Sequence, residues 1–282
     1  MAVAPLRALH SAGFEVALVV TGPDKRRGRG GATSPTPVKA AALDLGLPVT
    51  HDLDRVPEVG AEVGVVVAFG QILRAPLLEA LPMVNLHFSL LPRWRGAAPV
   101  ERAILAGDER TGVCVMAVDV GLDTGAVYAR REVAIGPDAT AATLSAELTD
   151  LGADLLVEAL RAGLRDPEPQ VGEVTYAHKL TPEDRRLRWD RPAVELDRVV
   201  RVGGAWTTVR DKRLKVLEAI AHPAAAAPEG AVPGTLVGTT VAAGVGTIEL
   251  VTVQPEGKGP QAAVDWVRGA RLDERERLGG DR

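Results

Sequence analysis

Cysteine occurs once in the 282 residues, as Cys114. A single thiol forbids an internal disulfide, so a reducing, cytoplasmic setting is expected. Its place in the apolar run Val113-Cys114-Val115-Met116 reads as core packing rather than as a nucleophile. Histidine is also scarce, and no second His or Cys stands near His87 at ligand spacing, so no metal site is expected. No apolar run approaches the ~20 residues of a membrane span, and Val65 to Phe69 has the length of a buried strand. Phosphate-binding glycine signals are missing as well: no Gly-Lys-Ser/Thr follows the basic glycine-rich stretch, and no βα glycine fingerprint opens the chain. That argues against a nucleotide-binding dehydrogenase. A formal net charge of −4 argues against indiscriminate nucleic-acid binding. The charge is uneven, however, with 17 Lys+Arg against 16 Asp+Glu from Gln170 onward. Arg198, Arg201, Arg210, Lys212, Arg213 and Lys215 could form a local phosphate-contacting surface if they cluster, or simply a solvated face.

What the chain does carry is chemistry at a strand end. Asn85-Leu86-His87 closes an apolar strand and runs into Ser89-Leu90-Leu91-Pro92-Arg93-Trp94-Arg95-Gly96, and Gly121-Leu122-Asp123-Thr124-Gly125 places a carboxylate 36 residues after the histidine. Alternation along a strand puts Asn85 and His87 on one face, near the carboxyl end where open α/β sheets hold their sites. Taken alone, Asn-x-His is an ordinary polar strand end and Asp123 a turn residue. Together, an amide, an imidazole and a carboxylate suit acyl transfer through a tetrahedral intermediate. Asn85 can donate to the oxyanion, His87 can manage a proton or donate as imidazolium, and Asp123 can orient His87 or help deprotonate an attacking amine. The loop bracketed by Pro92 and Gly96 has backbone groups that a flat heterocycle rich in donors and acceptors could satisfy.

Forty-six per cent hydrophobic content supports real cores, and the length suits two domains. Helices are predicted over Pro5 to Ala12, Val38 to Leu45, Leu73 to Ala80 and Ala141 to Ala162, and strands over Glu15 to Thr21, Val65 to Phe69, Met83 to His87, Val113 to Val118 and Val127 to Ala134. This alternation predicts an α/β domain with a mostly parallel sheet over residues 1–162. A linker is predicted over 163–174. Beyond it come short strands, Arg213 to Ile220, Gly234 to Gly238 and Gly246 to Val253, which predict a small β-barrel domain over 175–275 with a tail at 276–282.

The residues at the strand end resemble the 10-formyltetrahydrofolate-dependent formyltransferases, whose signature is Asn-x-His, a Ser-Leu-Leu-Pro-x-x-Arg-Gly loop and a later Asp in Leu-Asp-Thr-Gly. The likeness continues in Gly28-Arg29-Gly30 and Pro37-Val38-Lys39, then in Thr175-Tyr176-Ala177, Leu187-Arg188-Trp189, Pro233-Gly234-Thr235, Gln254-Pro255-x-Gly257-Lys258 and Trp266-Val267-Arg268-Gly269. It implies a Rossmann-like domain followed by an OB-like barrel, and catalysis by Asn85, His87 and Asp123. The formyl donor implied is 10-formyltetrahydrofolate, contacted by Ser89, Leu90, Leu91 and Pro92. Within the family the likeness is to members that formylate methionyl-initiator tRNA for translation initiation, with Arg29 entering the acceptor-stem end and the protein acting as a monomer. A formyltransferase for another amine, such as a sugar nucleotide, or an inactive paralogue that only binds tRNA, are the alternatives.

Two departures from the family pattern stand out. The chain begins already inside the turn-to-helix segment, so the first strand of the family sheet is expected to be missing, with the true start roughly ten residues upstream, about one strand and a turn. Its loss is expected to leave two neighbouring strands without ladder partners. The segment from Val200 to Thr207 is shorter than the family's Pro-containing counterpart.

Overall fold

The computed structural model describes residues 1–26 and 33–280. It contains two compact units, one formed by Met1–Val100, Arg110–Ala134 and Thr143–His178, the other by Glu101–Glu109, Ile135–Ala142 and Lys179–Arg282. The elements up to His178 run α1 (Val3–Ser11), β1 (Val19–Val20), β2 (Lys25–Arg26), β3 (Thr33–Ser34), α2 (Pro37–Asp44), β4 (Val49–Thr50), β5 (Gly64–Val66), α3 (Ala75–Ala80), β6 (Met83–His87), β7 (Arg95–Gly96), α4 (Pro99–Ala106), β8 (Arg110–Ala117), β9 (Val127–Ala134), α5 (Ala141–Arg161) and β10 (Tyr176–Ala177).

Local chemistry explains several of these boundaries. α2 starts at Pro37 because Thr36 is extended and its hydroxyl accepts the Lys39 N–H, while a proline in the first turn gives up a donor that has no helical partner. β6 and β9 fall on their predicted bounds. The strand predicted over Glu15 to Thr21 forms a ladder only at Val19 and Val20, parallel to β4.

The central sheet has the order β5-β6-β8-β9. β5 runs parallel to β6, but β8 is antiparallel to β6 and β9 to β8. One side of this sheet is therefore antiparallel, where the sequence predicts mostly parallel strands. For β8 and β9 the physical reason is the short connection from Ala117 to Val127, which suits an antiparallel return and is too brief for a crossover helix. α5 covers the sheet with Leu144, Leu148, Gly152, Leu155 and Leu156 buried. It lies so close that a Cβ on Gly152 would come within 3.0 Å of Leu86 and 3.1 Å of Val113.

Neither β1 nor β5 has a second ladder neighbour among the described residues. Both line a cavity of about 340 Å³ whose walls include Leu6, Val19, Val65, Val66 and Met83.

The second unit holds α6 (Ala193–Arg201), β11 (Trp206–Val209), β12 (Lys212–His222), β13 (Thr235–Val237), β14 (Thr240–Ala242), β15 (Thr247–Pro255), β16 (Gln261–Ala262), α7 (Ala263–Ala270) and β17 (Glu276–Arg277). Its strands follow the order β11-β12-β15-β14-β13-β17, every pair antiparallel, with β16 beside β15. The Gly279 N–H donates to the Thr208 carbonyl at 2.9 Å, which brings the end of the sheet back to β11 and nearly closes the barrel. Overall the fold is α/β, a Rossmann-like sheet domain followed by a nearly closed barrel. α6 and α7 were not predicted. α6 buries Ala193, Leu196 and Val200 on one stripe, and the charged residues between them hide that spacing in a plain reading of hydropathy.

Inside the barrel Trp189 is 5 % exposed and donates its indole N–H to the Thr207 hydroxyl at 3.0 Å. Trp189→Phe is expected to lower unfolding stability by about 1–3 kcal/mol, from the lost bond, the lost volume and a buried hydroxyl left without its donor. Urea denaturation measures it, and an unchanged midpoint would contradict the role given to this bond.

Candidate active site

Asn85 and His87 lie on the same face of β6, opposite Met116 and Cys114 in the register with β8. Cys114 is buried with Leu91, Met116 and Val127, and burial pushes its thiol pKa up, which keeps it a neutral packing group. After His87 the chain turns through Phe88 to Trp94. The Ser89 hydroxyl donates to the Arg93 carbonyl at 2.6 Å, and the Arg93 N–H donates to the Leu90 carbonyl at 3.1 Å. Trp94 has a left-handed φ of 63°, and its N–H donates to the Thr175 hydroxyl at 2.9 Å. β7 then pairs in parallel with β10, so the Thr175-Tyr176-Ala177 motif serves to clamp the end of this loop.

Asp123 arrives from the other end of the strand. The connection leaves β8 beside the start of β6, where the Val118 N–H donates to the Met83 carbonyl at 2.8 Å, and folds back across the sheet face. Asp123 itself has a φ of 51°, an uncommon conformation for a residue with a Cβ. Its Oδ2 accepts the Gly96 N–H at 2.7 Å and lies 3.7 Å from His87 Nδ1, and its Oδ1 accepts from Asn85 Nδ2 at 3.4 Å. Gly96 can present that N–H because its φ is 118°, a region closed to other residues, and because a Cβ there would press within 3.0 Å of the Ala177 carbonyl.

The His87 imidazole is 6 % exposed, and its Nε2 lies 2.9 Å from the Trp94 carbonyl. A carbonyl only accepts, so Nε2 carries the hydrogen and Nδ1 is the position open to gain or lose a proton. Burial holds the His87 pKa below its ordinary 6.5, opposed by the Asp123 charge and the Trp94 carbonyl. The ring is therefore neutral near neutral pH, with a basic Nδ1 beside a carboxylate.

The three residues predicted to act together, Asn85, His87 and Asp123, are thus in mutual reach. Of the loop residues predicted to meet a folate, Ser89, Leu91 and Pro92 are buried and Leu90 is half-buried, and the Ser89 hydroxyl is spent inside the loop. Arg29 lies outside the described residues. Three of the basic residues of the second unit have partners of their own. Arg201 pairs with Asp197, Arg210 pairs with Glu276, and Arg213 stacks on Trp206 at 4.3 Å. The Trp94 carbonyl and the Gly96 N–H were not predicted as site groups, because a backbone atom leaves no residue-type signal. Among the described residues no helix is long and apolar enough to cross a membrane.

Comparison with known proteins identifies the family. A family model described as formyl transferase matches residues 2–160, and one described as formyl transferase, C-terminal domain, matches 179–271. A methionyl-tRNA formyltransferase of Symbiobacterium thermophilum is 47% identical over 94% of this chain and 88% of its own length. One of Roseiflexus sp. is 45% identical over 99% of this chain and 92% of its own. Among solved structures, an N-formyltransferase from Helicobacter canadensis, in complex with folinic acid and dTDP-3-aminofucose, superposes with a TM-score of 0.65 at 14% identity, covering 88% of this chain and 94% of that one, a likeness of fold alone. With both domain models matched in order and relatives above 40% identity spanning nearly the whole chain, this protein belongs to the methionyl-tRNA formyltransferase family.

Proposed function

We propose that this protein transfers the formyl group of 10-formyltetrahydrofolate to the α-amino group of methionyl-initiator tRNA, in the cytoplasm and as a monomer. The observation that carries the reading is the Asp123 carboxylate, held by the Gly96 N–H at 2.7 Å and placed against His87 Nδ1 and Asn85 in a chain so close to named methionyl-tRNA formyltransferases.

The chemistry follows from these atoms. The amine nitrogen attacks the formyl carbon, a C–N bond forms, and the carbonyl oxygen becomes an oxyanion. One Asn85 amide hydrogen faces Asp123, and the other serves the oxyanion, a bond worth more in a water-poor pocket than in solvent. His87 Nδ1 takes the proton that the attacking nitrogen must shed, and the resulting imidazolium sits 3.7 Å from the Asp123 carboxylate. That proton then goes to N10 of the folate as the bond from N10 to the formyl carbon breaks. Ser89, Leu90, Leu91 and Pro92 give the folate its bed. The burial of Ser89, Leu91 and Pro92 implies contact through loop shape and backbone rather than through the Ser89 hydroxyl. Arg29 contacts the acceptor end of the tRNA in this reading, as a guanidinium suited to phosphates and unpaired bases.

The test is formyl transfer from 10-formyltetrahydrofolate to charged initiator tRNA, run beside a dTDP-amino sugar as competing acceptor. Transfer to the tRNA with none to the sugar supports the reading. Transfer to the sugar alone, or to neither by folded protein, overturns it.

A further inference from the structure

One side chain outside the signature motifs has its hydrogen-bonding capacity divided between the Asp123 turn and Arg95. Gln170 lies just after α5, where Val127 and Glu168 exchange backbone hydrogen bonds at 2.8 and 2.9 Å. Its Nε2 donates to the carbonyls of Asp123 and Gly125, each at 2.8 Å. Its Oε1 accepts from Arg95 Nε at 3.0 Å and from Arg95 Nη2 at 2.6 Å. Two donors and two acceptor sites are thereby all used, and the amide has one acceptable orientation, since a flip would set NH₂ against a guanidinium and an oxygen against two carbonyls.

The bonds close a ring. From the Asp123 carbonyl it runs through Gln170 to the Arg95 side chain, along the backbone to Gly96, and from the Gly96 N–H back to Asp123 Oδ2. We infer that Gln170 is a positioning residue for formyl transfer: it fixes the left-handed Asp123 backbone and, through Arg95, the Gly96 donor, so that the carboxylate is held toward His87 and Asn85. The inference rests on the catalytic reading of Asp123. Without the two Nε2 bonds nothing else described here anchors the Asp123 and Gly125 carbonyls, and an αL turn at a residue with a Cβ relaxes readily. A carboxylate displaced by about 1 Å is expected to cost on the order of 10²-fold in rate.

The experiment compares Gln170→Met, Gln170→Glu and Arg95→Lys, each alone and with Asp123→Ala. Gln170→Met keeps length without polarity. Gln170→Glu keeps the Arg95 contact but turns acceptors toward the two carbonyls. Both are expected to lower kcat by roughly 10- to 100-fold while KM for tRNA and for the folate moves by less than about threefold, because only the reacting geometry is disturbed. In the Asp123→Ala background the same substitutions are expected to change kcat by less than about twofold, a coupling that a general loss of structure does not produce. Should Gln170→Met fail to fold, Gln170→Glu and Arg95→Lys interrupt the ring at other atoms. An unchanged kcat in Gln170→Met and Gln170→Glu, or equal losses with and without Asp123, overturns the inference while leaving the catalytic reading intact. A near-normal rate in Asp123→Ala by itself removes the catalytic reading and the inference with it.

Discussion

Replacing Asp123 with alanine is expected to lower kcat by roughly three orders of magnitude, about 4 kcal/mol of transition-state stabilisation, with the fold intact. Three functions disappear at once. The Gly96 N–H loses its acceptor at 2.7 Å, Asn85 loses the contact that aims its amide, and the His87 imidazolium formed during proton transfer loses its counter-charge at 3.7 Å. Because the carboxylate serves all three, Asp123→Asn is expected to fall nearly as far. An amide oxygen can still accept from Gly96 at the Oδ2 position, but the Oδ1 position then presents NH₂ to the Asn85 amide, and His87 faces a neutral group. Single-turnover formylation at saturating donor, with thermal melts to check folding, measures the effect. Rates within a few-fold of wild type in a folded Asp123→Ala protein would remove Asp123 from the site.

His87→Ala should cost a similar factor, about 3–5 kcal/mol, and the wild-type pH profile should reveal why. Burial holds the imidazole pKa below 6.5, so the acid limb of kcat/KM is expected to lie below that pH, where Nδ1 takes a proton before the substrate offers one. The same shift has a stability consequence with a definite sign. Above about 6.5 His87 is neutral in both folded and unfolded chains, and its contribution is fully present. As pH falls below 6.5 the unfolded chain binds a proton that the buried ring resists, so stability drops until the lower folded-state pKa is passed. Denaturant titrations across this window should show a shallower pH slope in His87→Ala than in wild type. Activity that instead falls as pH rises through the His87 pKa would show that the ring is protonated in the active form and would overturn its role as the base.

Much of the frame was legible beforehand. Alternation fixed Asn85 and His87 on one face of β6, Pro37-Val38-Lys39 marked the start of α2, and the texture change after α5 announced a second domain of short strands. Less legible were features set by partners distant in sequence. The antiparallel return of β9 against β8 depends on a short loop rather than on composition, and the stripe of α6 is visible only against the barrel core that buries it. Asn85 and His87 were expected near the carboxyl end of a strand, and β6 ends at His87. What the sequence did not show is that the Asp123 connection leaves β8 beside the start of β6 and still reaches Asn85 and His87.

The sequence by itself determined which chemical groups the protein has to work with: an amide and an imidazole two residues apart on a strand, a carboxylate in a glycine-flanked turn, and a single thiol in an apolar run, because side-chain identity and strand periodicity are local properties. Only the tertiary structure decided what each group does. The Trp94 carbonyl selects the His87 tautomer, the Gly96 N–H holds the Asp123 carboxylate, and Gln170 ties that turn to Arg95, because a hydrogen bond depends on atoms that folding brings within 3 Å whatever their separation along the chain.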